Sequence, residues 1–185
     1  MTQFQMRELI VRCKQGDTKA FGTLMAEFQP LVFRLAFRLL CDDNGAKDMV
    51  QEVFIKVWLQ INKYNLQYSF STWIYTITSH LCCDKLRRMK HFPESFQLPD
   101  VFSEMDMASS ENPETSLINH ELKEMILYFT NGLSPKQKLV FTLSDIEELE
   151  VDEIIKITGL SAGKIKSNLY LARKQIRDKI NAINI

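Results

Sequence analysis

A chain of 185 residues has room for one ordinary domain or two small ones. With 45% hydrophobic and 25% charged residues it is composed like a soluble folded protein, not a disordered one, and no apolar stretch approaches the roughly 20 residues of a membrane span. The formal net charge of zero hides an asymmetry: residues 1–92 carry 13 basic and 8 acidic side chains, 93–122 carry 7 acids and no Lys or Arg, and from Ile154 onward 7 basic residues face a single acid, Asp178.

Six glycines and five prolines are few for a turn-rich chain, and the Leu, Ile, Lys and Glu content favours helices. Leu9, Ile10 and Cys13 give the apolar side of a short helix ended by Gly16. Asp17 caps the next, with Phe21, Leu24, Met25 and Phe28 inward, and Pro30 is expected to kink or restart it. Leu31, Leu35 and Leu39 continue that face. Asp42 or Asp43 caps a third helix whose Ala46, Met49, Val50, Val53, Phe54, Val57 and Ile61 recur every three or four residues. A polar connection, 62–69, leads to a fourth helix at about 71–90, with Trp73, Ile74, Ile77 and Leu81 inward and a basic end.

Residues 93–116 change character: Pro93, Pro99, Pro113, several serines and many acids mark a flexible acidic linker. Helix resumes at about 117–129 and Gly132 breaks it. Ser134-Pro-Lys-Gln137 then reads as a capping box with proline at the first helical position. A helix at 151–158, the turn Gly159-Leu-Ser161 and a longer helix from Ala162 to about 182 give the helix-turn-helix layout. The expected fold is all-α, two small helical domains joined by the linker.

Ile165, Leu169, Ala172 and Ile176 give the last helix one apolar side. The others offer Lys164, Lys166, Ser167, Asn168, Tyr170, Arg173, Lys174 and Arg177, after Ser161 at the cap. Such a helix can enter a major groove, where Asn, Lys and Arg read base edges and Ser and the remaining cations hold phosphates. The alternative is an amphipathic helix with a solvated basic face. Near the fourth helix, Tyr64, Tyr68, Phe70, Trp73 and Tyr75 fall within twelve residues, and rings beside cations can stack on unpaired bases. Trp73 and Phe70 are spaced as core residues, so Tyr64 and Tyr68 are the better exposed contacts. Asp48, Gln51 and Glu52 beside Val53, Phe54 and Trp58 form either a docking surface for another protein or a solvated polar face.

Cys13, Cys41, Cys82 and Cys83 form no C-x-x-C pair, and His80 has no second ligand pair at matching spacing. Buried thiols, no metal and no cofactor are expected. Residues 1–11 lack a signal-peptide core, which points to the cytoplasm and against membrane insertion. No paired acids at metal spacing, Gly-rich phosphate loop or nucleophile with a base supports an enzyme. A stand-alone DNA-binding regulator would leave the 48–58 face unexplained, and a helical adaptor would leave two basic modules without a use.

Asp48-Met-Val-Gln-Glu-Val-Phe-Ile-Lys-Val-Trp58, Phe70-Ser-Thr-Trp-Ile-Tyr-Thr-Ile77 and Asp84-Lys-Leu-Arg-Arg88 resemble the second conserved region of sigma factors. Leu133-Ser-Pro-Lys-Gln137, Thr158-Gly-Leu-Ser-Ala-Gly-Lys-Ile-Lys-Ser167 and Ala172-Arg173 resemble the fourth. The short length resembles the extracytoplasmic-function group.

That resemblance implies a transcription-initiation factor, not an enzyme, with region 2 at 1–92, a linker at 93–116 and region 4 at 117–185. It implies docking of Asp48, Gln51, Glu52, Val53, Phe54 and Trp58 on the clamp helices of core RNA polymerase. It implies capture of a minus-ten base on the melted non-template strand by the 63–69 connection, with Lys63, Tyr64, Asn65, Tyr68 and Ser69 as contacts. Lys85, Arg87, Arg88 and Lys90 would grip the upstream edge of that element. Reading of duplex promoter DNA at a minus-thirty-five element would fall to Ser161, Lys164, Lys166, Ser167, Asn168, Tyr170, Arg173, Lys174 and Arg177. An anti-sigma factor is the further partner it implies. Many relatives carry a basic residue where this chain has Leu171 and Arg where it has Asn168, so the minus-thirty-five sequence does not transfer from them.

Overall fold

The computed structural model describes residues 2–90, 125–126, 128–130 and 132–183. Among them every regular element is helical. The expected linker at 93–116 and the start of the helix expected at 117 lie outside the described residues.

Helix α1 spans Gln3–Lys14 and begins at a capping box, Thr2 accepting from the Gln5 amide while the Gln5 side chain accepts from the Thr2 amide. Asp17 opens α2, Thr18–Leu40, its carboxylate accepting from the Lys19 and Ala20 amides at 2.9 and 3.0 Å. The chain neither stops nor restarts at Pro30, which lies inside this single helix. Proline within a helix costs about 3 kcal/mol. Leu24, Phe28, Val32, Leu35 and Leu39 are buried on either side of it, at about 1.5–3 kcal/mol each. Continuity of that stripe outweighs the missing donor.

Cys41 ends α2 in the left-handed region, φ 56°, and α3 follows at Asp43–Gln60. Asp42 occupies the cap position of α3 without a side-chain cap bond. A Cβ on Gly45 would stand 2.5 Å from the Asp42 carboxylate and 3.3 Å from Lys85 Nζ, so a larger residue there would have to push the Asp42 side chain aside. A 3-10 turn, Ile61–Lys63, leads to the connection and then α4, Phe70–Lys90. Helix α2 packs against α1, α3 and α4, and α3 against α4.

In the second group of helices, residues 125–126 and 128–130 are helical, where the sequence predicts the helix ending near 129, and after them the capping box of Ser134 with Gln137 opens α5, Pro135–Phe141. A wide turn at Thr142–Ile146 follows, then α6, Val151–Thr158, and α7, Ala162–Ile183. Gly159 joins the last two with φ 68°, a conformation that β-carbon sterics make costly for other residues. Leu160, in the turn, packs against the core, to which Ile154 and Ile157 of α6 and Ile165 of α7 belong; Ala172 is buried farther along α7.

The two groups are not separate bodies here. Helix α4 packs against α5 and α6, and one continuous core cluster runs from Leu9 to Ile165.

Candidate nucleic-acid interface

Burial of Ile165 and Ala172 fixes the rotation of α7 and turns the opposite side outward. Lys164, Lys166, Ser167, Tyr170, Arg173, Lys174 and Arg177 are all exposed. Ser161 is exposed too, its hydroxyl a long 3.4 Å from the Lys164 amide. Asn168 is half-buried and donates one amide hydrogen to the Lys164 carbonyl at 2.7 Å, a bond that leaves its second N–H and its Oδ1 open to a base edge. Arg173 grips Asp145 with both arms of its fork, at 2.9 and 2.7 Å, and that bond raises its already high pKa. A shallow depression of about 490 Å³ runs along Lys166, Tyr170, Arg173, Lys174 and Arg177.

The connection after α3 turns on Asn65, whose side chain accepts from the Gln67 amide at 2.9 Å while its carbonyl accepts from the Tyr68 amide. Tyr68 projects outward, 66% exposed, with Lys63 and Ser69 also exposed. Tyr64 behaves otherwise. It was expected to be the companion exposed ring, but it is 5% exposed, packed on Phe70 and Trp73 with ring centroids 5.3 and 5.0 Å away. Its hydroxyl donates to the Tyr68 carbonyl and its carbonyl accepts from Lys14, and burial raises its pKa. Tyr64 shapes the connection from beneath.

A cavity of about 650 Å³ opens beside Tyr68, Ser69 and Phe70. On the basic end of α4, Lys85 is half-buried over Gly45, Arg87 is exposed and pairs with Asp84 at 3.1 Å, and Arg88 is exposed. Lys90 ends the helix, its side chain lying outside the described set.

On α3, Asp48, Gln51 and Glu52 are exposed, and Trp58 is half-buried with its ring 4.8 Å from Phe21. Val53 and Phe54, expected on the same outer face, are 0% and 2% exposed and belong to the core. Their place on the surface is taken by Ile55 and Leu59, 61% and 73% exposed. These two stand one and two turns after Gln51 and outside the core stripe, a register that their spacing in the sequence carries. With Phe21, Met25 and Trp58 they edge an apolar groove of about 420 Å³.

Residues 24–92 match the family of sigma-70 region 2, and residues 123–176 match sigma-70 region 4. The chain belongs to the extracytoplasmic-function sigma factors. This sigma factor is 26% identical over 191 residues to the ECF RNA polymerase sigma factor SigW of Bacillus subtilis, covering 96% of the chain and 98% of that protein. It is 27% identical over 189 residues to the ECF RNA polymerase sigma-E factor of Haemophilus influenzae, with 98% of both covered. Among solved structures, CnrH in complex with the cytosolic domain of CnrY superposes with a TM-score of 0.69 at 18% identity, over 95% of this chain and 97% of that one. The sigma factor RpoE of Bartonella quintana, in complex with the anti-sigma factor NepR, gives 0.64 at 19% identity, over 88% and 98%. The fold is shared with both.

As a sigma factor the chain is a transcription-initiation factor, not an enzyme, and works with core RNA polymerase in promoter-directed transcription. No helix among its described residues is long and apolar enough to cross a membrane. All four cysteines are buried and unbridged. Burial pushes the Cys82 thiol far up and the Cys83 thiol up to about 11.

Proposed function

We propose that this sigma factor gives core RNA polymerase its promoter choice through two cationic surfaces of different kinds. Helix α7 reads a minus-thirty-five element as duplex, with Lys166, Ser167, Asn168 and Arg173 leading and Ser161, Lys164, Tyr170, Lys174 and Arg177 around them. The connection at 63–69 captures a minus-ten base on the opened non-template strand, and Lys85, Arg87, Arg88 and Lys90 hold the backbone upstream of it. The observation that carries this reading is the pairing, on one chain, of an exposed basic helix-turn-helix with a separate cavity flanked by an uncovered tyrosine and a basic helix end.

Strand opening then needs no hydrolysis. A factor that binds the exposed strand better than the duplex shifts the opening equilibrium by that difference. Extruding a base costs a few kcal/mol, and stacking returns about 1–3 kcal/mol per base. Each surface alone is weak and salt-sensitive; tethering them on one polymerase raises the effective concentration of the second.

Core polymerase docks on the α3 face of Asp48, Gln51, Glu52 and Trp58, with Ile55 and Leu59 completing the contact. We assign region 2 to residues 1–92, the acidic linker to 93–116 and region 4 to 117–185. The linker's acids suit the positive channel of a nucleic-acid polymerase. Acting with polymerase on DNA places the chain in the cytoplasm. RpoE of Bartonella quintana was solved with an anti-sigma factor, and a protein inhibitor of that kind is the partner proposed here.

Run-off transcription with purified core polymerase and genomic DNA fragments tests the reading. Starts that require this chain are expected; failure of the purified chain to associate with core polymerase would overturn it.

A further inference from the structure

The cavity beside the connection has two walls. One is the connection itself, with Leu66, Gln67, Tyr68 and Ser69; the other is the first half of α1, with Thr2, Phe4, Met6, Arg7 and Ile10. Helix α1 lies ahead of the segment matching sigma-70 region 2, which begins at residue 24.

This wall is fixed in place. Leu9, Ile10 and Cys13 are buried in the common core, and the Lys14 ammonium donates to the Tyr64 carbonyl at 2.6 Å and stands 5.9 Å from the Tyr64 ring centroid. Phe4, by contrast, is 77% exposed. An aromatic ring left in water on a well-anchored helix adds nothing to the core. Tyr68, 66% exposed, lines the same cavity from the connection. Arg7, one turn after Phe4, is exposed, and among the described residues no carboxylate stands within ion-pair distance of it. No Asp or Glu lines the cavity, while Thr2, Gln67, Ser69 and Ser71 offer donors and acceptors. Two uncovered rings, one cation, neutral polar edges and no acid suit an unpaired nucleotide. A volume of about 650 Å³ accommodates one together with its sugar.

We propose that α1 completes a nucleotide pocket in which Phe4 and Tyr68 clamp one unpaired base of the opened strand and Arg7 takes a neighbouring phosphate. The proposal rests on minus-ten capture by the 63–69 connection and adds a wall to that site. Base preference at this position then depends on residues 2–10 as well as on the connection.

The test uses the full chain bound to core polymerase. The probes are single-stranded oligonucleotides of the non-template strand from a start mapped with this factor, carrying 2-aminopurine at successive positions. One position is expected to change its fluorescence on binding. Phe4→Ala should weaken single-strand binding by roughly 5- to 100-fold and suppress that change, leaving affinity for the duplex minus-thirty-five element as it was. Arg7→Ala should lower the slope of log affinity against log salt by about 0.7. Phe4→Leu keeps apolar bulk without a flat ring, so binding lost in both variants at unchanged thermal stability supports the clamp. Binding retained by Phe4→Leu overturns stacking. If Tyr68→Ala loses binding while Phe4→Ala and Arg7→Ala do not, the α1 wall is wrong and minus-ten capture stands. If none of the three loses binding, both fall.

Discussion

Tyr75 donates its phenolic proton to Glu147 at 2.8 Å, joining two residues 72 positions apart. The other oxygen of that carboxylate accepts from Arg38. Burial and the hydrogen bond to Glu147 together hold the Tyr75 proton on. A carboxylate that is 8% exposed is thus shared by α2 and α4 and ties the turn before α6 to both. Glu147→Gln keeps the shape and strands the Arg38 cation. Removing one member of a buried pair costs about 3–5 kcal/mol at full burial, and less here because Arg38 is 25% exposed. Faster amide hydrogen exchange in α6, by tenfold or more, is the expected result; Tyr75→Phe should show a smaller effect of the same sign. Protection unchanged in Glu147→Gln would mean that other contacts hold the two groups together.

The outer face of α3 separates docking from folding. Leu59→Glu and Ile55→Glu change exposed positions, so melting temperatures should stay within a few degrees while affinity for core polymerase falls tenfold or more. Phe54→Ala should do the reverse, costing about 3–5 kcal/mol of stability. A titration of core polymerase with each folded variant checks this, and wild-type affinity in Leu59→Glu would place the docking surface elsewhere.

Much of this layout can be read without coordinates, and for identifiable reasons. Local rules sufficed where the cause is local: Asp17 and Ser134 cap their helices, Gly159 makes the left-handed turn, and the three- and four-residue spacing of α3 marks its buried stripe. The errors arose where a distant partner decides. Tyr64 looks like a loop ring, and only Lys14, Phe70 and Trp73 reveal it as a foundation. Pro30 looks like a break until the buried stripe on both sides is weighed against it. Val53 and Phe54 fall on the three- and four-residue stripe of α3 and also in the docking set that the family resemblance implies; their burial places them in the core, as the spacing indicates. Neither the α1 wall nor the Glu147 tie leaves a sequence pattern, since each depends on side chains far apart along the chain.

Salt dependence distinguishes the cations of α7. Lys166 is exposed, so Lys166→Ala should leave the fold alone and lower the slope of log affinity against log salt for duplex DNA by about 0.9. Arg173→Ala also strands Asp145, which is 22% exposed. A loss of stability should therefore accompany its loss of binding. Binding isotherms at four salt concentrations, beside a thermal melt, check both; an unchanged slope in Lys166→Ala removes that residue from the phosphate contacts.

Thiol chemistry should report the packing of α4. At pH 8 the raised Cys83 pKa, about 11 against an ordinary 9.0, leaves roughly a hundredfold less thiolate than in an unfolded chain. The folded state favours the protonated thiol. Its contribution to stability is complete below about pH 9 and disappears as pH rises through about 11. Alkylation at pH 8 should be slow until the chain is denatured. Fast modification of Cys83 in the native protein would contradict its burial.

The tie at Glu147 also bears on reach. Twenty-five base pairs of B-form DNA extend about 85 Å, whereas a compact body of 185 residues is on the order of 40 Å across. On the reading proposed above, in which α7 takes one promoter element and the 63–69 connection the other, a chain clasped as it is here can touch one but cannot bridge both. Unclasping must precede or accompany engagement. One carboxylate's hold on an arginine and a tyrosine, beside the packing of α4 on α5 and α6, is what such an opening has to release.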